Sequence, residues 1–195
     1  MTITMGCPHI VFLISCFLVF SPIDGAFSWN SCQDFPVNAP LQVRRLSILP
    51  DPVAINDWAS IDFDIELTRN FTKPLQVSLS IKKIVKVLWV WTTEINVPCV
   101  SQMGSCTYDV CDESSALQAA HGCPSEFATN GIPCTCPIRS GDYRTSSGPL
   151  RIYLDTSEVP ALLETFLHGK YRTVLRLMDG LGDVGCVEYL NTIGS

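Results

Sequence analysis

An antiparallel β-sandwich or cup is the fold this sequence predicts. Three observations carry the prediction: short segments of alternating apolar residues, turn residues punctuating them, and an even set of cysteines behind an amino-terminal apolar run. The clearest segment is Ile61, Phe63, Ile65 and Leu67 with Asp62, Asp64 and Glu66 between them, the period of a half-buried strand. Leu75, Val77, Leu79 and Ile81 give a second strand, and Val85 to Val97 is rich in β-branched and aromatic residues. Leu150, Ile152 and Leu154, then Tyr171 to Met178, then Val184 to Leu190 complete the set. Pro50-Asp51-Pro52, Asn56-Asp57, Lys73-Pro74 and the glycines from Gly180 to Gly185 read as the turns between them. The count expected is six to eight short strands with one or two short helices.

The two helical segments follow from a different period. Asp112 to His121 carries Ala116, Leu117, Ala119 and Ala120 behind a cap at Asp112 or Ser114. Val159, Leu162, Leu163, Phe166 and Leu167 fall at helical spacing, with Pro160 in the first turn and Gly169 past the end. Such a helix either packs on the sheet or turns its large side chains toward a ligand or a membrane.

The chain has 195 residues, of which 16% are charged, well below the average of about 25%. This excludes a disordered polyelectrolyte. Its 13 Lys and Arg stand against 19 Asp and Glu, with basic residues at most paired, as in Arg44-Arg45 and Lys82-Lys83. No basic stripe is present to hold a nucleic acid.

Ile10 to Phe20 is almost wholly apolar, shorter than the roughly 20 residues of a membrane span and of the length of a signal-peptide core. Residues 1–25 are therefore expected to be a signal peptide and residues 26–195 a single domain in a secretory compartment. Val87 to Trp91 is the longest other apolar run and is far too short to span. Cys7 and Cys16 leave with the signal segment. Cys32, Cys99, Cys106, Cys111, Cys123, Cys134, Cys136 and Cys186 remain, an even set that reads as four disulfides, with about a hundred pairings open. Their spacings lack the paired C-x2-C of a zinc site, so no metal is expected. Asn70-Phe71-Thr72 is the single N-x-S/T sequon and marks a glycosylation site in a loop.

Catalytic motifs occur only as spellings. Gly180-x-Gly182-x-x-Gly185 has too little chain after it for a phosphate-binding helix and its returning strand, and reads as a hairpin loop. Ser80-x-x-Lys83 lies inside an alternating strand with no companion motif. His121 and His168 are the only histidines outside the signal segment, and Asp62 and Asp64 share the polar side of their strand. No catalytic residue, cofactor or enzyme activity is expected.

Longer patterns carry a resemblance. They are Phe27-Ser28-Trp29-Asn30 with Cys32, Leu49-Pro50-Asp51-Pro52, Val97-Pro98-Cys99, and Gly104-Ser105-Cys106-Thr107-Tyr108 with Cys111-Asp112. Gly131-Ile132-Pro133-Cys134-x-Cys136-Pro137, Gly141-x-Tyr143, Gly169-x-Tyr171-Arg172 and Gly185-Cys186 continue them. Together they resemble the ganglioside-activator family within the ML lipid-recognition superfamily, across essentially the whole chain after the signal segment. The resemblance implies a β-cup with a large apolar lipid cavity. It implies a lysosomal or extracellular cofactor that makes reversible peripheral contact with membranes, extracts a glycosphingolipid or phospholipid and presents it to a β-hexosaminidase. It further implies pairing of Cys32 with Cys186, Cys99 with Cys106, Cys111 with Cys136 and Cys123 with Cys134, and a glycan near Asn70. The family carries an exposed tryptophan after the proline of the loop before Gly169, where this chain has Ala161, Leu162 and Leu163. The membrane-touching role then passes to Leu162, Leu163, Phe166 and Leu167, with Trp58 as an aromatic at a neighbouring rim.

Overall fold

The computed structural model describes residues 27–36, 38–87 and 91–194. The expected signal peptide, and residues 88–90 of the expected strand from Val85 to Val97, lie outside the described residues. Ten strands run in chain order as β1 (Ser28–Ser31), β2 (Leu41–Leu49), β3 (Trp58–Leu67), β4 (Leu75–Val87), β5 (Trp91–Asn96), β6 (Thr107–Asp109), β7 (Gly141–Arg144), β8 (Leu150–Tyr153), β9 (Gly169–Asp179) and β10 (Gly182–Ile193). Two antiparallel sheets result. The larger has the order β1-β10-β9-β4-β5, with β6 also on β4, and the smaller has β2-β3-β7, with β8 also on β3.

The alternating rows became β3, β4, β9 and β10, the long strands at the middle of both sheets. Four strands beyond those read from the sequence, β1, β2, β6 and β7, raise the count above six to eight. In β2 the register shifts between Val43 and Arg45, so a bulge at Arg44-Arg45 breaks the alternation that would have revealed the strand. The glycine-spaced segment is a hairpin: Asp179 pairs with Gly182, leaving Gly180 and Leu181 as its tip.

Among the described residues three short helical elements join the sheets, and each differs from expectation. α1 (Val110–His121) starts two residues early because Asp109, not Asp112 or Ser114, caps it. The Asp109 carboxylate accepts from the Cys111 and Asp112 amides at 2.9 Å each, and Cys111 is held in the core by its bridge to Cys136. α2 (Ser125–Thr129) was not read from the sequence. The third, Ala161–Phe166, is a 3-10 helix and not an α-helix. Among the described residues no helix is long and apolar enough to cross a membrane.

Leu67, Phe71, Leu75, Cys111 and Val184 form a buried cluster that closes one end of the sandwich. Arg69 seals it. Its guanidinium lies 4.8 Å from the Phe71 ring and 2.6 Å from the carboxylate of Asp179, whose side chain is only 7% exposed. Arg69 holds the Asp179 carboxyl below the ordinary range, helped by the Leu181 amide at 2.9 Å. Arg69→Met leaves that carboxylate with backbone donors only, and about 2 kcal/mol of stability should be lost. Because the folded pKa is depressed, the contribution is present above the unfolded value near 4 and fades only as pH falls through the folded one. Urea midpoints should therefore separate variant and wild type equally at pH 7 and pH 5, and converge only in stronger acid. Equal midpoints at neutral pH would remove the pair from the account.

Candidate functional site

The two sheets turn apolar rows toward each other. Strand register puts Val77 opposite Leu177 and Leu79 opposite Leu175, and Leu177 packs on the closing cluster, so this row points inward. On β3 the facing row is Ile61, Phe63 and Ile65. All of these side chains are only half-buried, whereas the inner rows of a closed sandwich are buried. Between Phe63, Ile65, Tyr143 and Leu177 lies an apolar-lined pocket of about 140 Å³.

The outer faces are charged and internally neutralised. Arg172 spans Glu94 at 2.9 Å and Glu188 at 3.1 Å on the larger sheet, while Arg44 meets Asp64 at 3.7 Å and Asp142 at 2.7 Å on the smaller. Asp62 sits 3.1 Å from Arg45. The paired carboxylates of β3 are thus ion-pair partners on an outward face.

Exposed large apolar side chains gather at the end opposite the closing cluster. Trp58 and Tyr153 are register partners there, their rings 5.4 Å apart edge to face, with the Arg151 guanidinium 4.9 Å from the indole. Trp58 is 48% exposed and, by the alternation of β3, stands on the same outward face as Asp62 and Asp64 at the end of the strand. The turn before it is fixed by Asn56, whose side-chain oxygen accepts from the Thr156 amide and hydroxyl. Leu49, opposite Ser60, shares the outward face, whereas Ile152 pairs with the buried Ala59 on the inner one. Across the mouth, Trp91 at 58% exposure and Ile95 at 45% extend from the edge strand β5.

The segment before Gly169 completes this end, with its apolar residues divided. A 3-10 helix eclipses residues three apart, so Leu163 and Phe166 share one face while Leu162 takes another. Leu163 is buried with Val97 and Tyr171, and Phe166 packs on that cluster. Leu162 is 65% exposed. Leu167 is half-buried. Of the four, only Leu162 is therefore largely exposed, while Leu163 and Phe166 take the other alternative and pack on the sheet, the backbone winding more tightly than the α period assumes. Polar ties hold it so. The Tyr171 hydroxyl donates to the Phe166 and His168 carbonyls, and the Lys83 ammonium donates to the Thr165 carbonyl at 2.7 Å. Burial pushes the Tyr171 phenol up to about 12.

The sequence matches the ML domain, the family described as E1_DerP2_DerF2, over residues 26–193. The chain belongs to the ML-domain family. This ML domain is 30% identical over 166 residues to the ganglioside GM2 activator of Mus musculus, covering 84% of this chain and 80% of that one. It is 31% identical to the ganglioside GM2 activator of Macaca fascicularis, covering 84% of this chain and 81% of that one. Among solved structures, a Niemann-Pick type C2 protein from Japanese carpenter ant is a more distant likeness. It has a TM-score of 0.42 and 8% identity, covering 85% of this chain and 98% of that one.

Four disulfides staple the ML domain: Cys32–Cys186, Cys99–Cys106, Cys111–Cys136 and Cys123–Cys134. Asn70 is exposed in the β3–β4 connection, its side-chain oxygen accepting from the Ser140 amide at 2.7 Å. His121 ends α1, and His168 follows the 3-10 segment at the mouth. Of the expected rim residues, Trp58 and Leu162 are largely exposed, Trp58 on the outward side of its strand. Leu49, Trp91, Ile95, Ile152 and Tyr153 join them without having been singled out, although the apolar run ending at Trp91 marked that segment.

Proposed function

We propose that this ML domain is a non-enzymatic carrier in the lysosome or outside the cell that draws a ganglioside-like glycosphingolipid from membranes and presents it to a β-hexosaminidase. One observation carries the reading: large apolar side chains stand exposed at the end opposite the closing cluster, beside inward apolar rows that are only half-buried. Its kinship with the ganglioside GM2 activators points to the headgroup class and to the hydrolase. In this reading residues 1–25 are removed as a signal peptide and Asn70 carries a glycan.

The physical requirement is transfer without passage through water. A ceramide with roughly 30 methylenes, at about 0.8 kcal/mol each, would lose on the order of 20 kcal/mol in aqueous solution. A protein therefore collects it only while touching the bilayer and offering an interior of similar apolarity. Rim side chains inserted in part, each worth up to roughly 1.5 to 3 kcal/mol when fully buried, give docking weak enough to reverse. Release matters as much as capture, since the loaded carrier must reach the hydrolase.

Acid favours the same step. With a sequence pI near 4.9, the protein is negative at neutral pH and close to neutral in an acidic medium near that value. Co-sedimentation with vesicles containing anionic lipid should be several-fold stronger at pH 4.5 than at pH 7. Equal binding at the two values would remove the electrostatic part of the mechanism.

The deciding experiment incubates the protein with ganglioside-bearing vesicles and follows lipid capture by native mass spectrometry and headgroup cleavage with and without β-hexosaminidase. Stoichiometric lipid together with cleavage only when both proteins are present supports the reading. Capture without stimulation would make it a lipid-recognition module that serves no hydrolase. Cleavage by the protein alone would make it an enzyme.

A further inference from the structure

We infer that the seam between β2 and the β1–β10 edge is a side pocket that takes the far end of one hydrocarbon chain of the bound lipid; this rests on the carrier reading. The described interior pocket, at about 140 Å³, is well below the roughly 300 to 1,000 Å³ of sites that hold even a drug-sized ligand. A second pocket of about 360 Å³ opens at the seam, walled by Phe35, Pro36, Ala39 and Val43, with the Cys32–Cys186 bridge beside them. Leu41 lines both pockets, so a single side chain is common to the interior and the seam.

Gly185 sets where that side chain rests. A Cβ on Gly185 would lie 2.7 Å from Leu41 Cδ2, so only glycine lets the leucine lean onto β10 between the two spaces. Leu41 is thus the side chain that the two spaces share, packed on β10 where Gly185 leaves room for it. The far limit of the path is equally defined. Ser31 and Cys32 also border a groove on the outer face that is lined by Asp34, Arg172, Arg176 and Glu188. Arg176 holds Asp34 at 2.8 Å and Asp183 at 3.0 Å there. A hydrocarbon chain stops at such a wall, because dehydrating paired charges against methylenes is unfavourable. Apolar interior, mostly apolar seam and charged exterior thus follow one another, and the occupant they fit is a chain terminus.

Two measurements test the assignment. Gangliosides with eight-carbon and twenty-four-carbon acyl chains, offered together in phosphatidylcholine vesicles, are quantified on wild type and on Val43→Trp by native mass spectrometry. The indole fills the seam, so the ratio of long-chain to short-chain lipid should fall at least tenfold while the short-chain lipid still binds. In wild type alone, the twenty-four-carbon lipid with a terminal diazirine should label the peptide spanning residues 31–43, a readout that does not depend on the variant folding. An unchanged ratio in folded Val43→Trp, or label outside residues 31–43, would overturn the side pocket with the carrier reading intact. Absence of both lipids from wild type would overturn the carrier reading and the pocket with it.

Discussion

Trp91→Ser combined with Leu162→Ser should reduce vesicle-bound protein at pH 4.5 by about 100-fold without unfolding the domain. One side chain stands on the edge strand β5 and the other on the 3-10 segment, and both are more than half exposed. Inserted to about half their area, they lose roughly 3 kcal/mol of transfer free energy between them, and each 1.4 kcal/mol is tenfold in affinity. Neither belongs to a buried cluster, so thermal midpoints should move little. Leu181 supplies the control. It is 85% exposed, but at the hairpin tip near the closed end, and Leu181→Ser should leave docking unchanged. If the Leu181 variant lost as much as the double variant, exposed apolar area in general would be responsible and the mouth would have no special role. If the double variant docked like wild type, contact would have to come from other residues of that end.

How much of this was legible in the sequence depends on how each residue's burial is generated. β3, β4, β9 and β10 could be read because each sends one row toward a shared interior and the other toward solvent, which produces a period of two. β1, β6 and β7 are four residues or fewer, and their pairing is supplied by neighbours distant in sequence. β2 was masked by its bulge. Trp58 was visible as an aromatic in a turn, but its partner Tyr153 is fixed only by strand register across the whole domain. Trp91 and Ile95 escaped for the opposite reason: every residue of β5 is exposed, so no contrast between faces exists to mark them. The segment after Pro160 shows how a correct apolar spacing can mislead. Residues at α-helical intervals met a backbone tightened by Lys83 and Tyr171 from the sheet below, and what looked like one stripe divided into a buried leucine and an exposed one.

Removing the Cys32–Cys186 bridge should destabilise the domain more than removing any of the other three. The bridge closes a loop with a sequence separation of 154, against 7 for Cys99–Cys106, 11 for Cys123–Cys134 and 25 for Cys111–Cys136. Loop-closure entropy puts the longest at about 5 kcal/mol and the shortest at about 2 kcal/mol. The native side of the balance points the same way. Cys186 is buried in β10, and Cys32 directly follows the short edge strand β1, whose four residues pair only with β10 among the described strands. Without the bridge β1 keeps its ladder but loses its covalent tie, and the pocketed seam beside it loses a wall. Cys32→Ser with Cys186→Ser should therefore lower unfolding free energy by about 3 to 5 kcal/mol, a large share of the roughly 5 to 15 kcal/mol of an ordinary domain. Cys99→Ser with Cys106→Ser should cost about half as much. Guanidinium midpoints of the four double variants, compared with unchanged slopes, give the ranking directly. A Cys99–Cys106 variant less stable than the Cys32–Cys186 variant would mean that the short bridge acts through the Val97–Tyr171 cluster beside it, and that packing at the mouth, more than chain entropy, limits the stability of the fold.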